Sequence, residues 1–547
     1  MRLLLVFVAV ALMAARCDRN PETDSGWNIG DPEISVKTEP LFLEREENDL
    51  VTIWFSAEGT DEPLSLESIE VRFSDNSAVA SLEAISAWYT GVVPGVPQRT
   101  LLATLQNPGI KSTFKGAVTL SSGKNYFVLS FTARADADLT GTLEVESVTL
   151  SFSDNASREI TPSPDDPVIR FGKILRAAGQ DGIDTYRIPG LVTTNSGVLI
   201  AVYDNRYNNS KDLQEDIDIG MSRSTDGGET WEPMKVIIDM GEYGGLPEQL
   251  NGAGDPCVLY DEVNGTFWVA ALWMSGSAPD KMLWWASEPG MTPQETGQFI
   301  LVKSSDEGLT WSEPINITEQ IKDPSWQLLL QGPGRGITMS DGTLVFPAQF
   351  KADIGVRALD GGQYTCHSTI VFSRDGGETW KIGTGAKTNT TEAQVAELSD
   401  GSLMLNMRDD RNRTDKTETN GRAVAFTSDL GATWTVHSSS NSALQEPNCM
   451  ASLIAAEVKV DGQVQRALFF SNPDNKSERT NMTVKASLDE GVTWPEEQQV
   501  ELFAPAGYGY SCLTMVDDSH VGILYEGVKE LYFQKIKVDE LLGNKQQ

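Results

Sequence analysis

The sequence predicts an all-β chain, a six-bladed β-propeller preceded by a β-sandwich accessory domain. Three observations predict it. Near copies of one octapeptide recur five times in the C-terminal part of the chain. A second series of apolar segments, most of them opening on glycine, recurs with the same period. Ahead of both lie short runs that alternate with period two and carry neither signal.

The first residues, MRLLLVFVAVALMAARC, place Arg2 before an apolar run from Leu3 to Ala15. That run is short for a bilayer span and reads as the core of a signal peptide over residues 1–17. The expectation is an exported protein: periplasmic, outer-membrane lipoprotein or secreted. Cys17 fits the lipid-modified first residue of a bacterial lipoprotein, although Arg16 stands where a small residue is expected; simple cleavage nearby is the alternative.

After a polar tether, "LVTIWFSA", "SIEVRFS", "NYFVLSFTA" and "LEVESVTLSFS" alternate between apolar and polar and are bounded by turn residues. Such runs make antiparallel strands with one buried face, so residues 18–165 are assigned to the sandwich and its linker. "TPSPDDP" at 161 to 167 breaks regular structure, and the propeller is expected over 166–547.

"STDGGETW", "SSDEGLTW", "SRDGGETW", "TSDLGATW" and "SLDEGVTW" share the pattern Ser/Thr-x-Asp-x-Gly-x-Thr-Trp. Their aspartates, Asp226, Asp306, Asp375, Asp429 and Asp489, lie 80, 69, 54 and 60 residues apart, a spacing suited to one four-stranded blade per copy. The second series runs through "GVLIAVYDNR", "GTFWVAALWM", "GTLVFPAQF", "GSLMLNMRDD", "ALFFSNPD" and "VGILYEG", six strands for five boxes. The sixth blade lacks a box, and a strand near Ile169 to Leu175 is expected to complete it. In a meander blade the boxes lie at one end and the ends of the second strands open at the other.

Composition excludes several functions. Lys and Arg number 43 against 78 Asp and Glu, a net charge of -35 that repels a phosphate backbone, so no nucleic-acid partner is expected. Cys257, Cys366, Cys449 and Cys512 are widely spaced and read as buried small residues. His367, His437 and His520 are isolated, so neither a metal nor another cofactor is expected. "GPGRG" at 332 to 336 lacks the Lys-Ser/Thr of a phosphate loop and is taken as a turn.

The strand ends opposite the boxes carry the chemistry. "YRIPG" holds Arg187, "VYDNRYNNSKD" holds Asp204, Arg206 and Asp212, "LNMRDDR" holds Arg408 and "SNPDNKSER" holds Arg479. Converging guanidiniums suit a ligand with a fixed carboxylate, since their fork geometry matches it and its charge offsets their repulsion. Each arginine by itself has an alternative, pairing with a nearby acid.

"YRIP", the five boxes, "EAQVAELSDGSLMLNMR", "SNP" with Arg479 downstream and "GYSCL", in this order over roughly Val168 to Leu542, resemble the bacterial exo-sialidases. That family has a six-bladed propeller fold. The resemblance implies a retaining exo-α-sialidase that hydrolyses terminal sialic acid from sialylated glycans. By position it implies that Arg187, Arg408 and Arg479 hold the sialic acid carboxylate, Tyr510 is the nucleophile, Glu392 its general base and Asp212 the acid/base. Arg206 and Asp255 resemble supporting pocket contacts, and Glu526 of "LYE" resembles the carboxylate that orients the first arginine. A tyrosine suits the task because sialic acid bears a carboxylate on its anomeric carbon, where an attacking carboxylate would meet like charge. Asp212 needs a raised pKa to donate a proton, which partial burial can supply. Tyr508 competes with Tyr510, from which it is expected to stand two residues away on one strand; Glu397 competes with Glu392, and Asp216 and Asp218 with Asp212. The alternatives in function are a non-catalytic propeller that binds glycan or protein, and the same site performing sialyl transfer or intramolecular release.

Overall fold

The computed structural model describes residues 26–59, 63–94, 98–275, 281–460 and 462–543. The expected signal peptide and Cys17 lie outside the described residues. The fold is all-β, and its few helices are single turns. No helix among the described residues is long and apolar enough to cross a membrane.

The alternating N-terminal runs become two antiparallel sheets. One holds Asn48–Gly59, Gly123–Ala133 and Leu82–Gly91 at its centre; the other orders Ser157–Ile160, Val145–Phe152, Ser65–Phe73 and Lys111–Thr119. Their inward residues share one apolar core, in which Phe55 meets Phe152 edge-on at 5.5 Å and Phe73 meets Phe131 at 6.4 Å. Such aromatic pairs hold two sheets in a fixed relative position.

Residues 161 to 167 form no strand, as the prolines require, yet the chain is stitched across this break. Thr142–Leu143 pairs antiparallel with the start of Ile169–Arg176, and Leu41–Phe42 pairs with it in parallel. Phe42 is fully buried beside Phe503, Tyr525 and Tyr532, so an N-terminal side chain is part of the C-terminal core.

Six further sheets follow among the described residues. The first four-stranded one orders Thr185–Thr193, Leu199–Arg206, Ile217–Ser224 and Lys235–Ile238. Strands Thr185–Thr193, Asn251–Asp261, Leu344–Ala352, Thr390–Glu397, Ser452–Val460 and Ser511–Asp517, one from each successive sheet, pack side by side, and the last packs against the first. The sixth sheet is completed by Ile169–Arg176, which pairs with Leu531–Lys537.

All five octapeptides adopt one geometry. In each, the aspartate accepts the backbone N–H of the threonine four residues on at 2.9 Å, and also that threonine's hydroxyl. These bonds hold Asp306, Asp375 and Asp429 at a pKa of about 2, the threonine hydroxyl contributing most. The turn needs positive φ at two successive residues, and Glu307, Leu430 and Glu490 adopt it at 53 to 58° where two boxes have glycine. The tryptophans reach adjoining sheets: Trp231 meets Phe533 at 5.3 Å and Trp380 meets Trp268 at 5.9 Å.

Candidate active site

Strand register separates the boxes from the charged strand ends. Leu199 pairs with Ser224 at the first box, whereas Arg206 pairs with Ile217 at the other end, about 20 Å away at the usual rise per residue. Glu397 pairs with Leu403 at the box end and receives the Ser340 N–H at 2.9 Å, so it stands apart from Glu392 on the same strand.

Glu392 and Arg408, on the paired strands Thr390–Glu397 and Leu403–Asp409, meet Tyr510, more than a hundred residues later in the sequence. The Tyr510 hydroxyl donates to Glu392 Oε1 and accepts from Arg408 Nη1 at 3.2 Å, while the same Nη1 reaches Glu392 Oε2 at 2.6 Å. Burial and the Glu392 carboxylate push the Tyr510 hydroxyl well above its ordinary range, with Arg408 and Arg479 opposing. The phenol is therefore neutral at rest, with its proton already directed at a carboxylate.

Glu526 ties two strands together. Its carboxylate accepts Arg187 Nε at 3.0 Å, Arg187 Nη2 at 3.3 Å, the Ile188 N–H at 2.9 Å and the Tyr510 N–H at 2.9 Å. Ile188 has φ of 58°, a left-handed conformation rare for a β-branched residue, at a register shift between Arg187 and Gly190. The bond to Glu526 holds that strain in place and turns Arg187 toward the tyrosines.

Arg479 meets backbone carbonyls instead of a carboxylate, donating to Tyr508 O at 2.8 Å and Asn448 O at 3.5 Å. It lies 5.6 Å from the Tyr510 ring centroid, and Arg187 lies 4.7 Å from Tyr508 and 5.1 Å from Tyr510. Tyr508 and Tyr510 do not share a strand as expected: the strand begins at Ser511, and Gly509 between them has φ of 86°. Tyr510 alone of the two is bonded to Glu392.

Asp204, Arg206, Asp212 and Asp255 form the remaining wall. Arg206 is buried and ion-pairs with both Asp204, at 2.7 Å, and Asp212. The Asp255 N–H donates to Asp204 Oδ1 at 3.0 Å, and Asp255 Oδ1 is buried with no partner among the described residues. Oxygens of Asp204, Asp212 and Asp255 lie within 4.8 Å of one another, close enough for a cation, but Arg206 already supplies a positive charge there. Burial and the neighbouring carboxylates push Asp255 well up, while Asp204 is raised to about 6 by burial.

The raised pKa expected of Asp212 is not what its neighbours impose. Burial acts upward, but Arg206, Arg187 and Arg408 outweigh it and hold the carboxyl below its ordinary value. Asp218, by contrast, is bonded by the Tyr207 hydroxyl at 2.7 Å and is raised to about 7 by burial. A cavity of about 220 Å³ has Asp212, Asp255, Glu392, Arg408 and Tyr510 on its wall.

Residues 197–523 match the BNR repeat-like domain. A sialidase of Bacteroides fragilis is 42% identical over 530 residues, covering 92% of this chain and 94% of that one. The chain belongs to the sialidase family. The solved structure of the Hadza microbial sialidase Hz136 superposes with a TM-score of 0.82 at 42% identity, covering 92% of this chain and 99% of that one. A sialidase of Paraclostridium sordellii is 31% identical over 362 residues, 62% of this chain and 81% of that protein. By family the protein is a glycoside hydrolase of the exo-α-sialidase type.

The sialidase site contains residues that no motif announced. Asn448 receives Arg408 Nη2 at 3.1 Å and has φ of 58°. Thr391, Gln349, Leu330 and the turn Leu283–Ala286 with Trp284 and Trp285 also line the cavity. "Met282-Leu283-Trp284-Trp285" lies in a connection outside both repeat series, and the doubled tryptophan is the one signal that could have drawn attention to it.

Proposed function

We propose that this sialidase hydrolyses terminal sialic acid from glycoconjugates with retention of configuration, through a glycosyl-tyrosine intermediate. The observation that carries the reading is the Tyr510 hydroxyl aimed at Glu392 with Arg408 beside both. Arg187, Arg408 and Arg479 receive the substrate carboxylate. Tyr510 oxygen attacks the anomeric carbon as its proton passes to Glu392; the bond to the leaving oxygen breaks, and Asp212 protonates that oxygen. Water then attacks the same carbon, Asp212 takes its proton, and the Tyr510 oxygen departs and recovers its proton from Glu392.

The depressed pKa of Asp212 fits this cycle once substrate is counted. A bound carboxylate offsets the charge of Arg187 and Arg408, two of the cations that hold Asp212 down, and so raises it when a proton is needed. Arg206 and Asp255 support the pocket, and Glu526 positions Arg187.

The fold reading completes the proposal. The six sheets are six blades of a propeller, supported by the succession of packed strands that returns to the first. Residues 18–165 are an accessory β-sandwich and its linker, residues 166–547 the catalytic propeller and residues 1–17 an export signal. The mature protein is periplasmic, secreted or anchored through a lipid on Cys17.

The test is turnover of an aryl α-ketoside of sialic acid with product analysis. Free α-sialic acid as first product is expected from the wild type, and Tyr510→Phe should lose at least about a hundredfold in kcat, since it removes the nucleophile. Full turnover by Tyr510→Phe would refute the nucleophile; a transferred or anhydro product would replace hydrolysis with transfer.

A further inference from the structure

We propose that Asp204 is a positioning residue for the leaving-group acid: it holds Arg206 between two carboxylates, so that the charge of the arginine is shared and not given wholly to Asp212. Asp204 is fully buried and is not among the residues on the wall of the catalytic cavity. Its two oxygens have different tasks. Oδ2 accepts Arg206 Nε at 3.1 Å and Arg206 Nη2 at 2.7 Å, while Oδ1 accepts the Asp255 N–H at 3.0 Å.

These bonds leave Arg206 one orientation. Its other terminal nitrogen, Nη1, donates to the Ser210 carbonyl at 2.9 Å, and Nη2 also reaches Asp212, so the guanidinium is fixed against the loop that carries the acid. The Asp255 backbone is held by the same side chain. Asp255 has φ of 57°, a left-handed conformation, at a register shift between Gly254 and Cys257, and its bond to Asp204 supports that strain. One buried carboxylate thus sets both the counter-ion of Asp212 and the backbone of Asp255.

Asp212 is faced by Arg206, Arg187 and Arg408, by the acids Asp204 and Asp255, and by the Tyr510 hydroxyl. Burial favours its proton, and Arg206 is the foremost cation against it. Asp204 lies on the same guanidinium, so two carboxylates repel across one shared counter-charge, and an ionised Asp204 makes the proton on Asp212 easier to keep. Asp255, which burial pushes well up, holds its own proton and adds less charge. Removing the charge of Asp204 alone therefore turns Arg206 wholly onto Asp212 and makes the protonated acid scarcer. Removing Arg206 as well frees Asp212 of its strongest cation and has the opposite effect. A merely structural role for Asp204 does not predict that reversal.

The inference rests on Asp212 as the leaving-group acid, and the experiment separates the two. kcat/KM is compared on methyl α-sialoside, whose alkoxide needs a proton to leave, and on an aryl α-sialoside, whose phenolate leaves without one. The alkyl-to-aryl ratio cancels effects on binding of the shared sialyl group. Near neutral pH, Asp204→Asn should lower this ratio about tenfold, and Asp204→Asn combined with Arg206→Met should raise it above the wild-type value by at least about threefold. Neutral replacement of both partners of a buried ion pair is tolerated better than loss of one, so the double variant decides the matter if Asp204→Asn does not fold. A ratio unchanged in Asp204→Asn, or not raised in the double variant, overturns the role of Asp204. Asp212→Asn should lower the ratio at least about a hundredfold. A wild-type ratio in Asp212→Asn overturns the acid assignment itself, on which the inference depends.

Discussion

Replacing Glu526 by glutamine keeps the shape of the side chain and removes what it does. Its carboxylate is fully buried and accepts four donors, two from Arg187 and one each from the Ile188 and Tyr510 backbones. An amide offers one oxygen in place of two and directs an NH₂ group at donors. Breaking a buried ion pair from one side costs about 3–5 kcal/mol. The lost backbone bonds do not add in full, because the loop relaxes, so about 3–5 kcal/mol is the expected total. For one cooperative transition of a chain this long, ~2.1 cal/mol/K per residue gives about 1 °C per kcal/mol, so the melting temperature should fall by about 3–5 °C in a thermal denaturation scan. Kinetics should move with it: Arg187 loses its orientation, and kcat/KM on an aryl α-sialoside should fall by at least about tenfold, the equivalent of one hydrogen bond to a charged group. A Glu526→Gln protein that melts within less than about 1 °C of wild type and turns over normally, below the loss expected for even one unsatisfied buried group, would refute the account.

Asp255→Asn should stabilise the protein at neutral pH. The raised pKa of Asp255 means that the folded state keeps a proton which the unfolded chain has released above about pH 4, so stability falls as pH rises through that window. The variant should therefore melt higher than wild type at pH 7 and converge with it near pH 4; a variant destabilised equally at both would contradict the assignment. Phe42→Ala, which empties a site buried among Phe503, Tyr525 and Tyr532, should cost about 3–5 kcal/mol and lower the melting temperature of the whole chain in one transition. Two separate transitions, with the later one unchanged, would show that the N-terminal unit is not joined to the remainder as described.

Much of the architecture was legible because it is written locally. A box needs Ser/Thr, Asp, Gly, Thr and Trp within eight positions, and every bond that closes it is made inside or beside those positions, so five copies announce themselves. The positive φ of Glu307, Leu430 and Glu490 was not legible, because the neighbouring aspartate bonds, and not the residue type, impose it. The charged strand ends were visible as types, and the family resemblance supplied their roles; their convergence is a property of the sheets. What escaped were groups whose use depends on distant partners. Lys351 and Asp360 look like an ordinary strand lysine and a loop acid until Trp284 is placed between them. The fall in the Asp212 pKa comes first from Arg206, six residues before it, and then from Arg187 and Arg408, which reach it only through the fold.

Ile169–Arg176 finds its partner in Leu531–Lys537, more than three hundred residues later. On a ribosome, the N-terminal sheets and five others emerge before that partner does. Throughout that interval Ile169–Arg176 has an open backbone edge, and Phe171, buried in the finished protein, has no cover from the sixth sheet. An open edge of this kind invites pairing with a neighbouring chain. Synthesis interrupted shortly before Leu531 is therefore expected to yield a fragment with an exposed pairing edge, prone to association, rather than a weakened enzyme.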